Sequence, residues 1–157
     1  MEKKDVLGML EYFDRVQKVT FKVIKSIPAN KLNYKPCPEV MSLKELVHHI
    51  YANEKVFAQG VAKGFISEED FKKENRKHGS IKSLLDYAKS VRKNTNLIAK
   101  KLTDKQLKRK VKTFWGAPLP AFICFTAFYD EHWHHRGQLY TYLRLLGIKP
   151  PDLYDYK

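Results

Sequence analysis

Five of the six histidines stand in two short clusters, His48-His49 and His132, His134 and His135, in separate helix-like segments. An imidazole on an apolar helix face is costly unless each ring nitrogen finds a partner once buried. Spacing narrows what such rings could do together. Glu131 and His135 are one helical turn apart, so both side chains can converge on a single ion. His132 and His135, three residues apart, are the other pair able to do so. Two ligands at helical spacing plus a third from a facing helix is how helical bundles assemble metal sites. The third would come from the first cluster, where His49 flanks an apolar stripe and His48 is turned further toward solvent. Histidine with a carboxylate suits Zn, Ni, Fe or Mn, and three protein ligands leave positions open for water or substrate. The plainer reading is a pair of histidine clusters at the surface edge.

The elements that must position these residues are helices. Val6, Met9, Leu10, Phe13, Val16, Thr20, Val23, Ile24 and Ile27 recur at three- and four-residue steps, and Pro28 ends that run. Asn33 to Pro38 is an extended connection, because each proline disfavours the α conformation in the residue before it. Ser42 and Glu45 form a capping box for a second helix, with Leu43, Leu46, Val47, Ile50, Phe57, Ala58 and Val61 as its apolar stripe. Gly60 and Gly64 mark where that helix frays. Residues 65–79 read as a polar loop with a short turn from Ser67. A third helix follows from about Ser80, and Thr103 with Gln106 suggests a further capping box and a short basic helix. Thr113 to Pro120 reads as a loop whose aromatics cover one end of the bundle. The fourth helix runs from about Pro120 to Leu146, carries Phe125, Phe128, His132, His135, Leu139, Tyr142 and Leu146 on its core stripe, and is closed by Gly147 and Pro150-Pro151. Nothing reads as a sheet. The expected fold is all-α, an antiparallel four-helix bundle with an additional short helix, in a single domain over 1–157.

Composition sets the outer limits. The chain has 157 residues, 43% hydrophobic and 30% charged, the balance of a globular domain and not of a disordered one. The start MEKKDVLGML lacks an apolar signal core, and no apolar run is long enough to span a membrane, so the expectation is a cytoplasmic protein. Cys37 and Cys124 fit neither a disulfide framework nor a metal motif. The net charge of +13 raises nucleic acid as a partner. The lysines are spread along the whole chain, however, and the aromatics fall at core spacings, which argues against it.

The segment His134-His135-Arg136-Gly137-Gln138-Leu139-Tyr140, continuing through Tyr142 to Pro150-Pro151, resembles the C-terminal signature of the DinB-like family. Met41 to Ile50 resembles that family's second helix, and Pro36-Cys37-Pro38-Glu39 fits its lead-in. The family is named for damage-inducible proteins and includes thiol-dependent transferases. The resemblance implies a three-histidine metal site, with one ligand on the second helix and an H-x-x-x-H pair on the fourth. Carried across, the ligands fall on His49, Glu131 and His135, with a carboxylate where the pattern has histidine. His132 standing in for Glu131, or a site without its metal, are the other outcomes. Around these, Gln138 could support His135, Arg136 could pair with Asp130 or Glu131 or with an anionic substrate, and Gly137 suggests close helix packing. The implied activity is metal-dependent transfer of a small thiol to an electrophile, or hydrolysis of an amide-like conjugate. The alternative is a non-catalytic stress-response protein with a degenerate site. A homodimer is expected either way.

Overall fold

The chain begins with a 23-residue helix, α1 (Lys3–Lys25), whose buried face carries Val6, Leu10, Phe13, Val16, Val19, Val23 and Ile24. Residues 1–74 and 77–157 are described here from a computed structural model. After Pro28 a single 3-10 turn (Ala29–Lys31) leads to α2 (Leu43–Lys63). Ser42 accepts from the Glu45 amide and the Glu45 carboxylate accepts from the Ser42 amide at 2.7 Å, so two orphan donors of the first turn are satisfied reciprocally. A two-residue strand β1 (Phe65–Ile66) and a short helix α3 (Glu68–Lys73) follow. Next come α4 (Ile81–Lys101) and the short α5 (Asp104–Lys108). Strands β2 (Lys110–Thr113) and β3 (Gly116–Pro120) form a hairpin, and α6 (Ala121–Leu145) ends the helical part. The 157-residue chain is therefore mostly helical with a small three-stranded sheet, which corrects the all-α expectation. It has two short α-helices beside the four long ones, not one. No helix among the described residues is long and apolar enough to cross a membrane.

The sheet leaves little mark on the sequence, for identifiable reasons. Lys110-Val111-Lys112-Thr113 alternates with Val111 inward, but four residues carry a weak period-two signal. The hairpin tip, between the pair Thr113 and Gly116, is Phe114-Trp115, which lacks the Asn-Gly or Asp-Gly chemistry that announces a tight turn. β2 also pairs in parallel with β1, and Arg109 at the start of the hairpin donates to the carbonyls of Val61 and Ala62 at the end of α2. A cation on those unsatisfied carbonyls caps α2 and pins the hairpin beside it.

α2 packs on α4 and α6, and α1 packs on the same two helices. The core between them has two apolar lobes. One gathers Ile24, Leu46, Ile50, Leu84, Ala88, Leu139 and Leu143, and the other Phe13, Val56, Ala99, Leu107, Val111, Phe125 and Phe128. Among the residues at the level between them are Gln17, Thr20, Glu54, Arg92, Thr95, His132 and Arg136, all buried and drawn from all four long helices.

Two glycines behave oppositely. Gly60 lies inside α2 and does not fray it, because a Cβ there would sit 2.2 Å from Ile66 Cγ1 of β1, which is itself buried. Gly137 on α6 is exposed with nothing within 4 Å of an added Cβ, so it marks no close packing. Gly137→Ala should therefore raise stability by about 0.5–1 kcal/mol through helix propensity alone. Gly60→Ala should lower it by about 1–3 kcal/mol, since overpacking against a branched, buried side chain outweighs the same propensity gain. Urea unfolding midpoints measure both, and a shift of the same sign in the two variants would contradict this packing.

Candidate metal centre

α2 and α6 run side by side, and their facing turns bring His49, Glu131 and His135 together. One donor atom from each lies within 4.8 Å of the other two, the one such group of three among the described residues. His135 Nε2 is 3.1 Å from Glu131 Oε2, and His49 Nε2 is 3.9 Å from the same oxygen. The His49 and His135 rings meet edge to face with centroids 4.6 Å apart. His135 is buried, whereas the side chains of His49 and Glu131 are 39% and 44% exposed, so the group opens to solvent on one side.

The surrounding hydrogen bonds decide which ring nitrogens carry lone pairs. Gln138 turns its amide nitrogen to His134 Nε2, at 3.4 Å, and its oxygen to His135 Nδ1, at 2.8 Å. His135 therefore carries a proton on Nδ1, and its Nε2 faces the Glu131 carboxylate. Two acceptors at 3.1 Å repel unless a cation, a proton or a metal ion, lies between them. Asn53, one turn beyond His49, donates its amide hydrogens to His49 Nε2 at 3.1 Å and to Glu131 Oε2 at 3.3 Å. That makes His49 Nε2 a lone-pair donor as well. Burial, reinforced by His135, lowers the His49 pKa against the opposing pull of Glu131, so the ring is neutral near pH 7. Two imidazole nitrogens and one carboxylate oxygen converge, and that donor set suits a divalent ion.

The other candidates lie elsewhere. His132 is buried against α1: its Nε2 donates to Thr20 Oγ1 at 2.9 Å, and its Nδ1 lies 3.4 Å from Gln17 Nε2. It is a core residue with both nitrogens engaged. His48 stacks on Tyr87 and sits against His78, away from the three donors. Arg136 pairs with neither Asp130 nor Glu131. It is buried, donates to the carbonyls of Val16 and Leu153, and lies 4.2 Å from the Trp133 ring, tying the C-terminal tail to the helices. Cys124 is buried, which pushes its thiol up to about 11 and removes it as a nucleophile. Two neighbours of the group are not legible from the sequence pattern alone. Asn53 shows only as i+4 to His49, and the aromatics of the hairpin tip cannot be placed without the sheet.

The sequence profile of the DinB family matches residues 1–157. YjoA of Bacillus subtilis is 27% identical over 141 residues, 88% of this chain and 89% of its own length. The crystal structure of YjoA, a DinB-like protein, superposes with a TM-score of 0.77 at 26% identity, covering 94% of this chain and 96% of that one. A DinB-like protein from Bacillus cereus gives 0.77 at 24% identity, with 92% and 95% covered. The mycothiol-dependent maleylpyruvate isomerase shares the fold more distantly, with a TM-score of 0.69 at 12% identity over 88% of this chain and 61% of that one.

The engaged core histidine has a measurable consequence. Burial, and after it the Arg136 and Arg92 charges, hold the His132 pKa well below its ordinary 6.5. The unfolded chain takes up a proton there below about pH 6.5 that the folded chain refuses. This contribution to stability is therefore present above that pH and lost as pH falls. Urea unfolding from about pH 7.5 to 5.5 should show His132→Gln losing less stability on acidification than the parent, by at most about 1.4 kcal/mol per pH unit. Parallel pH dependences would show instead that the folded chain protonates His132.

Proposed function

The chain belongs to the DinB family, and on that premise we propose that it is a metal-dependent enzyme joining a small thiol to an electrophilic carbon, with His49, Glu131 and His135 as ligands of one divalent ion. The observation that carries this reading is the convergence of one donor atom from each of His49, Glu131 and His135 on two helices, with His135 Nε2 3.1 Å from Glu131 Oε2. A divalent ion held there would lower the pKa of a coordinated thiol or water and so provide a nucleophile near neutral pH. The thiol as reactant is taken from the mycothiol-dependent isomerase that shares the fold.

The chain's own residues support that chemistry. Gln138 accepts from His135 Nδ1, which orients the ring and leaves Nε2 as the nitrogen aimed at the group. Asn53 donates to Glu131 Oε2 and to His49 Nε2, a placeholder on the one lone pair that a bound ion would take over. The exposed edges of His49 and Glu131 leave a side on which reactants can approach. A carboxylate in place of a third imidazole makes the set harder, suiting Zn, Fe, Mn or Ni over softer ions.

Protein purified without a histidine tag should contain close to one divalent ion per chain by elemental mass spectrometry. His135→Ala should abolish this, and Gln138→Ala should weaken affinity by about 10–100-fold, as loss of a ligand's hydrogen-bond partner does elsewhere. A parent that takes up no metal, beside a Glu131→His variant that does, would mean the carboxylate has ended metal binding in this chain.

A further inference from the structure

Beside the donor group lies a cavity of about 610 Å³, within the size range of small-molecule sites. Its walls are aromatic: Phe57 of α2, Phe71 of α3, and Phe114 and Trp115 from the hairpin tip. The rings touch one another, with centroids 4.9 Å apart for Phe114–Trp115, 6.0 Å for Phe57–Trp115 and 6.2 Å for Phe71–Phe114. Polar groups converge at the end formed by His49, Asn53 and Glu131, and Asp130 adds a second carboxylate. Phe114 and Trp115 remain 52% and 46% exposed, although they are among the largest apolar side chains here. An aromatic pair left half in water over a cavity, with polar groups at one end, is the form of an incompletely filled binding site.

Charge narrows the occupant. The chain carries 30 lysines and arginines, yet none of the described residues lining this cavity is one. Its ionisable carboxylates disfavour an anionic ring. A second cavity shares His49 and Asn53 and is lined by Lys44, Lys72 and Lys77 beside Glu45, Glu68 and Glu74, so a polar reactant has a separate approach to His49. We propose that the aromatic cavity receives an uncharged aryl group of the electrophile and presents its reactive carbon to the metal centre. This rests on the metal-dependent reading above and assigns its substrate class. The hairpin tip is then a specificity element, its rings stacking on the aryl group face or edge.

Benzohydroxamate and acetohydroxamate offer metals the same chelating group and differ in the aryl ring. Calorimetric titration of the zinc-loaded full chain should show benzohydroxamate binding at least tenfold tighter, and 4-carboxybenzohydroxamate losing most of that advantage. Trp115→Ala and Phe114→Ala change exposed residues, so the fold should persist, as circular dichroism will verify. Each should cut the preference at least threefold with zinc content unchanged. Equal affinity for the two hydroxamates, or a preference that survives both substitutions, would overturn the assignment while leaving the metal centre intact. If the chain takes up none of zinc, nickel, iron and manganese, the metal reading fails separately, and benzyl alcohol then tests the cavity alone. It should shift the Trp115 indole N–H resonance, identified by its loss in Trp115→Phe, and an unmoved resonance would overturn the aryl site.

Discussion

Arg92 of α4 and Glu54 of α2 lie almost wholly out of water at the level where the four long helices meet, their side chains 5% and 1% exposed and 3.1 Å apart. A buried charge is tolerated only when its remaining bonding capacity is met, and removing one partner costs about 3–5 kcal/mol. Here it is met. Arg92 also donates to Asp14, Asn96 and the Leu10 carbonyl and lies over the Phe13 ring. Glu54 accepts from Gln17, and Gln17 accepts from Tyr51. Even so, burial outweighs Arg92 and raises the Glu54 pKa. Apolar lobes can slide against one another at modest cost, but a layer of directional bonds between them fixes each helix in height and rotation.

His132 transmits that constraint to the candidate metal site. Its bonds to Thr20 and Gln17 lock the rotation of α6, and successive helix residues differ by about 100° in bearing. With His132 turned into α1, Glu131 and His135 must lie on the flank that faces α2, where His49 waits. The buried His132 is thus the residue that aims Glu131 and His135. Arg136 adds a second anchor from the same helix to the α1 backbone and to the C-terminal tail.

Much of this was legible in the residues themselves. The capping box at Ser42 and Glu45, the start of α4 after Ser80, the box at Thr103 and Gln106, and the Gly147 stop are local signals whose chemistry acts within one turn. The i, i+4 spacing of Glu131 and His135 is likewise local, and the DinB-like signature placed His49 opposite them. What could not be read depended on contacts distant in sequence. The strand Lys110–Thr113 exists because Arg109 and β1 hold it to the end of α2. Arg136 looked like a surface cation because its partners are backbone carbonyls, which leave no mark on sequence. Gly60 and Gly137 are the same letter, and only the neighbour Ile66 separates them.

The most direct test is crystallographic: anomalous diffraction at the zinc edge from crystals grown with zinc. A single peak is expected about 2.0–2.2 Å from His49 Nε2, Glu131 Oε2 and His135 Nε2, with Gln138 still bonded to His135 Nδ1. A peak elsewhere, or none while Glu131 accepts a hydrogen bond from a protonated His135, would contradict it.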